Sequence, residues 1–75
     1  MDVTIYTKNN CPACKQSKAM LTTLGIEYIE KNIEEDFEAF KKIIQLNIKQ
    51  VPVIETKFDI WSGHQPSKLM ALKNK

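Results

Sequence analysis

The amino-acid sequence predicts one α/β domain over residues 1–75: a four-stranded mixed β-sheet with three helices, in the order βαβαββα. Three observations lead there. Residues 3–7 and 26–30 are strand-like and enclose a helical pattern, and together they span the ~30 residues of a βαβ unit with parallel strands. Two β-branched runs, 51–55 and 58–61, lie close enough to pair as an antiparallel hairpin. Amphipathic segments precede and follow that hairpin, so helices can cover the sheet in two layers.

Val3-Thr4-Ile5-Tyr6-Thr7 alternates in hydrophobicity and is rich in β-branched and aromatic side chains, as a strand should be. Lys8-Asn9-Asn10 is polar loop. A helix starts around Cys11, with Pro12 at its first position, where a missing N–H costs nothing. Ala13, Met20, Leu21 and Leu24 fall on one stripe of it, and Gly25 supplies the stop. After the strand at 26–30, Asn32 stands as a helix cap with Glu35 three residues on, a weaker version of the capping box. Glu34, Glu35 and Asp36 then occupy the first turn and Lys41 and Lys42 lie nearer the end, which suits the helix dipole. That acidic run reads as a solvated turn rather than a binding patch. Phe37, Phe40, Ile43 and Ile44 make the expected buried stripe, with Leu46 joining it.

Pro52 falls inside the run 51–55, so this strand starts there, lies at an edge or is interrupted. Thr56-Lys57 turns the chain into 58–61, and Ser62-Gly63-His64-Gln65 is a loop. Pro66 opens the last helix, with Leu69, Met70 and Leu72 inward and Lys73-Asn74-Lys75 fraying.

Composition narrows the function. The apolar fraction of 43% suffices for one core, and no run approaches the ~18 apolar residues of a membrane span. The chain opens on a strand pattern rather than a signal peptide, so a cytoplasmic protein without a membrane partner is expected. All eleven basic residues are Lys, scattered among nine acids for a net charge of +2. A nucleic-acid binder would show a basic stripe and prefer Arg, so no nucleic-acid partner is expected.

The two cysteines stand in Cys11-Pro12-Ala13-Cys14. Two thiols at that spacing either exchange a small disulfide or give two ligands to a soft metal. The only further soft ligand is His64, and there is no second Cys pair, so no metal is expected. A merely structural disulfide is disfavoured because so short a loop adds little stability and the expected compartment is reducing. Redox exchange is left, with the Cys11–Cys14 disulfide itself as the redox group and no cofactor. Cys11 at a helix N-terminus meets unpaired N–H groups and the positive dipole end, with Lys8 and Lys15 near in sequence. Cys14, one turn in, is more shielded. Cys11 is therefore the expected nucleophile and Cys14 the resolving thiol, with Lys8, Pro12 and Ala13 in support.

Cys-Pro-Ala-Cys after a strand, Val51-Pro52 before a hairpin and Trp61-Ser62-Gly63 before a final helix resemble the thioredoxin superfamily. Within it the chain is similar to the small glutaredoxin-like proteins called NrdH-redoxins. The resemblance spans essentially the whole chain. It implies a thioredoxin-like fold and a dithiol–disulfide electron carrier reduced by thioredoxin reductase and reducing class Ib ribonucleotide reductase. It also implies that Pro52 is cis and that Val51, Pro52, Trp61, Ser62, Gly63, His64 and Gln65 face the partner. His64 and Gln65 depart from the family's Trp-Ser-Gly-Phe-Arg-Pro, and Pro12-Ala13 is closer to glutaredoxin or thioredoxin usage. The alternative is a glutaredoxin reduced by glutathione. Such proteins carry Gly-Gly and an acidic residue before the last helix, where this chain has Trp61-Ser62-Gly63 and Ser67. More remote is a non-catalytic or metal-binding module of the same fold. A carrier that must show one site to two partners is expected to be a monomer.

Overall fold

Alternation along the inner strands divides the interior into two cores. Ile5 and Ile54 point to one side, where Val3, Leu21, Ile26, Trp61, Leu69 and Leu72 join them. Tyr6 and Val53 point to the other, against Ala39 and Ile43. A computed structural model describes residues 3–73 and builds this from β1 (Thr4–Thr7), α1 (Pro12–Thr23), β2 (Ile29–Asn32), α2 (Phe37–Gln45), β3 (Val53–Glu55), β4 (Ile60–Ser62) and α3 (Pro66–Lys73). The sheet order is β2-β1-β3-β4. β1 runs parallel to β2 and antiparallel to β3, and β3 pairs antiparallel with β4, with Ile5 opposite Ile54 and Ile54 opposite Trp61. α1 and α3 supply the first core and α2 the second, which is the thioredoxin-like fold in the expected element order. Asn74 and Lys75, expected to fray, lie outside the described residues.

Cap chemistry moves several boundaries. Gly25 (φ 73°) ends α1 with paired bonds, Ile26 N–H to Leu21 O at 2.9 Å and Gly25 N–H to Thr22 O at 3.0 Å. This Schellman-type closure spends Ile26 on the helix end, so β2 begins at Ile29 rather than 26. Asn47 (φ 58°) closes α2 the same way, with Ile48 bonded to Ile43 O. The expected cap Asn32 instead ends β2. Its side chain accepts from Glu34 N–H in a turn, and the cap is Asp36, which accepts from Ala39 N–H at 3.1 Å.

Several expected strand and core assignments are sharpened or corrected. β3 starts at Val53, because Pro52 cannot serve a ladder flanked on both edges. β4 is displaced to Ile60–Ser62 because Thr56 Oγ1 gathers the N–H groups of Phe58 and Asp59 into a turn, leaving Phe58 exposed. Ser62 is therefore strand rather than loop. On α2, only Ala39 and Ile43 are buried, whereas Phe37 (68% exposed), Phe40, Ile44 (58%) and Leu46 face outward. On α3, Leu69 and Leu72 share the buried face, and Met70, rotated about 100° from Leu69, is exposed. The stripe of α1 is Cys14, Ser17 and Leu21, with Met20 and Leu24 at its margin and Ala13 half-buried.

Candidate active site at the start of helix α1

Cys11 is the N-cap of α1, held in extended backbone (φ −118°, ψ 99°) by the turn from β1, with Pro12 as the first helical residue. Its Sγ accepts the Cys14 N–H at 3.1 Å, so the donor at the start of the helix points at the sulfur. When the pair is reduced, the same N–H and the positive helix end favour a thiolate on Cys11. The two cysteines form a disulfide with Cα atoms 5.3 Å apart. Cys11 is 6% exposed and Cys14 1%, in the expected order of access.

A groove of about 590 Å³ runs beside the pair. Lys8, Cys11, Pro12 and Ala13 line one side and Lys49, Gln50 and Val51 another, over apolar side chains that include Phe40 and Ile44. The exposed face of α2 is thus continuous with the site. It was missed in the sequence because its residues have core chemistry at core spacing. Lys8 and Lys49 are exposed and form no ion pair among the described residues, and Lys15 is exposed on α1.

The Val51–Pro52 peptide bond is cis, and Pro52 is fully buried. The Pro52 carbonyl accepts the Gly63 N–H at 2.7 Å, which brings the segment before β3 against the loop after β4. Val51 makes no hydrogen bond among the described residues. Within the second segment, Gln65 Nε2 donates to Ser62 O at 2.8 Å. His64 Nδ1 lies 2.7 Å from Ser17 Oγ, and Trp61 is buried in the first core. Ser17 was not foreseen. The available signal was its place three residues after Cys14, on the same helical face. Among the described residues no group of three or more His, Cys, Asp or Glu side chains is gathered as a metal site, and no helix is long and apolar enough to cross a membrane.

Residues 3–59 match the glutaredoxin family. A glutaredoxin-like protein NrdH of Lactococcus lactis is 40% identical over 70 residues, covering 93% of this chain and 97% of the relative. The chain belongs to the glutaredoxin family, among its NrdH-redoxins. The Salmonella typhimurium glutaredoxin-like protein NrdH is 31% identical over 96% of this chain and 89% of its own length. The solved Escherichia coli NrdH-redoxin, a glutaredoxin-like protein described by its thioredoxin-like activity profile, superposes with a TM-score of 0.92 at 29% identity, covering 96% of this chain and 95% of that one. As an NrdH-redoxin, the chain is a thiol–disulfide oxidoreductase whose redox group is its own cysteine pair.

Proposed function

We propose that this NrdH-redoxin carries two electrons in the cytoplasm, as a monomer, from a thioredoxin reductase to a disulfide of a class Ib ribonucleotide reductase. The 40% identity to a glutaredoxin-like protein NrdH over nearly the whole of both chains carries this reading. The site chemistry supports it. Gly63 stands alone after Ser62 where a glutathione-using protein has two glycines, and Ser67 stands where such proteins place an acid. In the reaction Cys11 attacks the target disulfide and Cys14 resolves the mixed disulfide. The free backbone groups of Val51 can pair with an extended target segment, as sheet-edge recognition does elsewhere. Ser62, Gly63, His64 and Gln65 form the opposite side of this docking surface, anchored at Gly63 to Pro52. The apolar outer face of α2 extends it, with Lys8 and Lys49 favouring an acidic rim on the target.

Glutathione is the second donor to consider, because Pro12 follows glutaredoxin usage and Lys8 and Lys49 match the anionic ends of the tripeptide. NADPH consumption separates the two donors. Turnover with thioredoxin reductase, and little with glutathione plus glutathione reductase, is the expected result. Turnover only in the glutathione system overturns the assignment.

A further inference from the structure

We propose that the Ser17–His64 pair accepts the proton of Cys14 when Cys14 resolves a mixed disulfide, with the Ser17 hydroxyl as the relay and the imidazole as the acceptor. The proposal rests on Cys14 as the resolving thiol. A buried thiol must lose its proton to attack, and Cys14 has little access to water at 1% exposure. Its own N–H serves Cys11, and α1 contains no Asp or Glu.

Ser17 is fully buried three residues after Cys14, and residues at that spacing are neighbours on a helix surface. Helical side chains lean toward the N-terminus, which inclines the Ser17 side chain toward the turn that holds Cys14. Its only side-chain partner among the described residues is His64 Nδ1, at 2.7 Å. A hydroxyl donates and accepts at once, which a relay requires. His64 is half-buried in the loop between β4 and α3, so this residue keeps partial access to solvent while bonded to the buried serine.

The charged groups of the surrounding elements are otherwise engaged or basic. On α1, Lys18 pairs with Glu30 of β2. On α3, Lys68 pairs with Asp59, and Lys49 precedes the cis bond. Gln50 and Gln65 are neutral, and no carboxylate among the described residues forms an ion pair with the imidazole. His64 is therefore the titratable group bonded to the Cys14 face of α1.

The step balances as follows. Cys11 is joined to a target cysteine, and His64 carries its ring proton on Nε2. The Cys14 thiol proton passes to Ser17 Oγ while the Ser17 hydroxyl proton passes to His64 Nδ1. Cys14 Sγ bonds to Cys11 Sγ, and the bond from Cys11 to the target breaks. The target cysteine leaves with the bonding pair and takes a proton from water. Cys11 and Cys14 have lost two electrons, the target disulfide has gained them, and the imidazolium returns its proton to solvent.

Stopped-flow mixing of the reduced protein with one equivalent of dithionitrobenzoate tests this. Attack by Cys11 releases one coloured thiolate, and resolution by Cys14 releases the second. His64→Gln keeps a hydrogen-bonding group for Ser17 but cannot take the proton, and Ser17→Ala removes the relay. Both should slow the second release about a hundredfold or more at neutral pH, the low end of general-base effects. The second-release rate should also climb to its plateau at higher pH in the variants than in the unmodified protein. The first release, which needs only Cys11, reports that the site is folded. A His64→Gln protein with the unmodified second rate and pH profile overturns the proposal, since the hydrogen bond alone then suffices. Equal slowing of both releases overturns it as well. Absence of any second release in the unmodified protein removes the resolving role of Cys14 itself.

Discussion

The Gly63 N–H donates to the Pro52 carbonyl at 2.7 Å and so joins the segment entering β3 to the one leaving β4. Gly63 holds φ +84°, and a Cβ there would meet only Gln50 Oε1, at 3.9 Å. The demand at this position is conformational rather than steric. Gly63→Ala should cost about 1–2 kcal/mol from the left-handed backbone alone. Thermal unfolding should show a lower midpoint, and reduction of a protein disulfide should slow more than reduction of a small one. An unchanged midpoint would show that the loop can relax around the new side chain.

Neighbouring isoleucines on α2 make opposite predictions. Ile43 is 3% exposed in the core with Tyr6 and Val53, whereas Ile44 faces outward. Ile43→Ala should cost about 2–4 kcal/mol, through lost transfer energy and a cavity. Ile44→Ala should stay within about 0.5 kcal/mol. Urea unfolding of the two variants checks the contrast. Equal costs would mean that Ile44 is covered in solution.

That contrast also marks how far the sequence could be read. Element order and the redox pair were legible because they rest on local signals: β-branched runs, Pro12 at a helix start, Gly25 at its end, and two cysteines with no further ligands. The outer face of α2 was not. Phe37, Phe40 and Ile44 recur at helical spacing, and hydrophobicity alone does not separate a core stripe from an exposed one. Boundaries slipped where a side chain outbid the apparent cap, as Asp36 did over Asn32, and where Thr56 gathered the hairpin turn. The Ser17–His64 bond joins residues 47 positions apart, and no local pattern announces it.

Two carboxylates make stability depend on acid. The Lys42 ammonium, bonded to both oxygens of Glu55 at 2.9 and 2.8 Å, holds that carboxyl below its ordinary 4.5, against the opposing effect of burial. The Thr7 hydroxyl, donating at 2.8 Å, lowers Glu30 first, with Lys18 adding to it. Folded values below the unfolded ones mean that the unfolded chain binds more protons in acid. This stabilisation is therefore complete above about pH 4.5 and is lost as pH falls through the folded values. Urea midpoints of the unmodified protein and of Glu55→Gln should differ most at neutral pH and converge on acidification. A gap that widens in acid would reverse the sign.

The chemistry assigned to the two cysteines makes the last prediction. Cys11 caps α1 and accepts the Cys14 N–H, so its thiolate is the stabilised one, and Cys14 is the more enclosed. Cys14→Ser should still attack a target disulfide but should stop at the mixed disulfide, since no second sulfur is present to displace the target. A reductant-sensitive adduct of the summed mass of the two chains should accumulate, and turnover should fall to background. Cys11→Ser should also lose turnover but form no adduct, because the sulfur that remains is buried and lacks the helix-end N–H. An adduct on Cys11→Ser and none on Cys14→Ser would exchange the two roles. The N-cap position of Cys11 would then set the leaving sulfur rather than the attacking one.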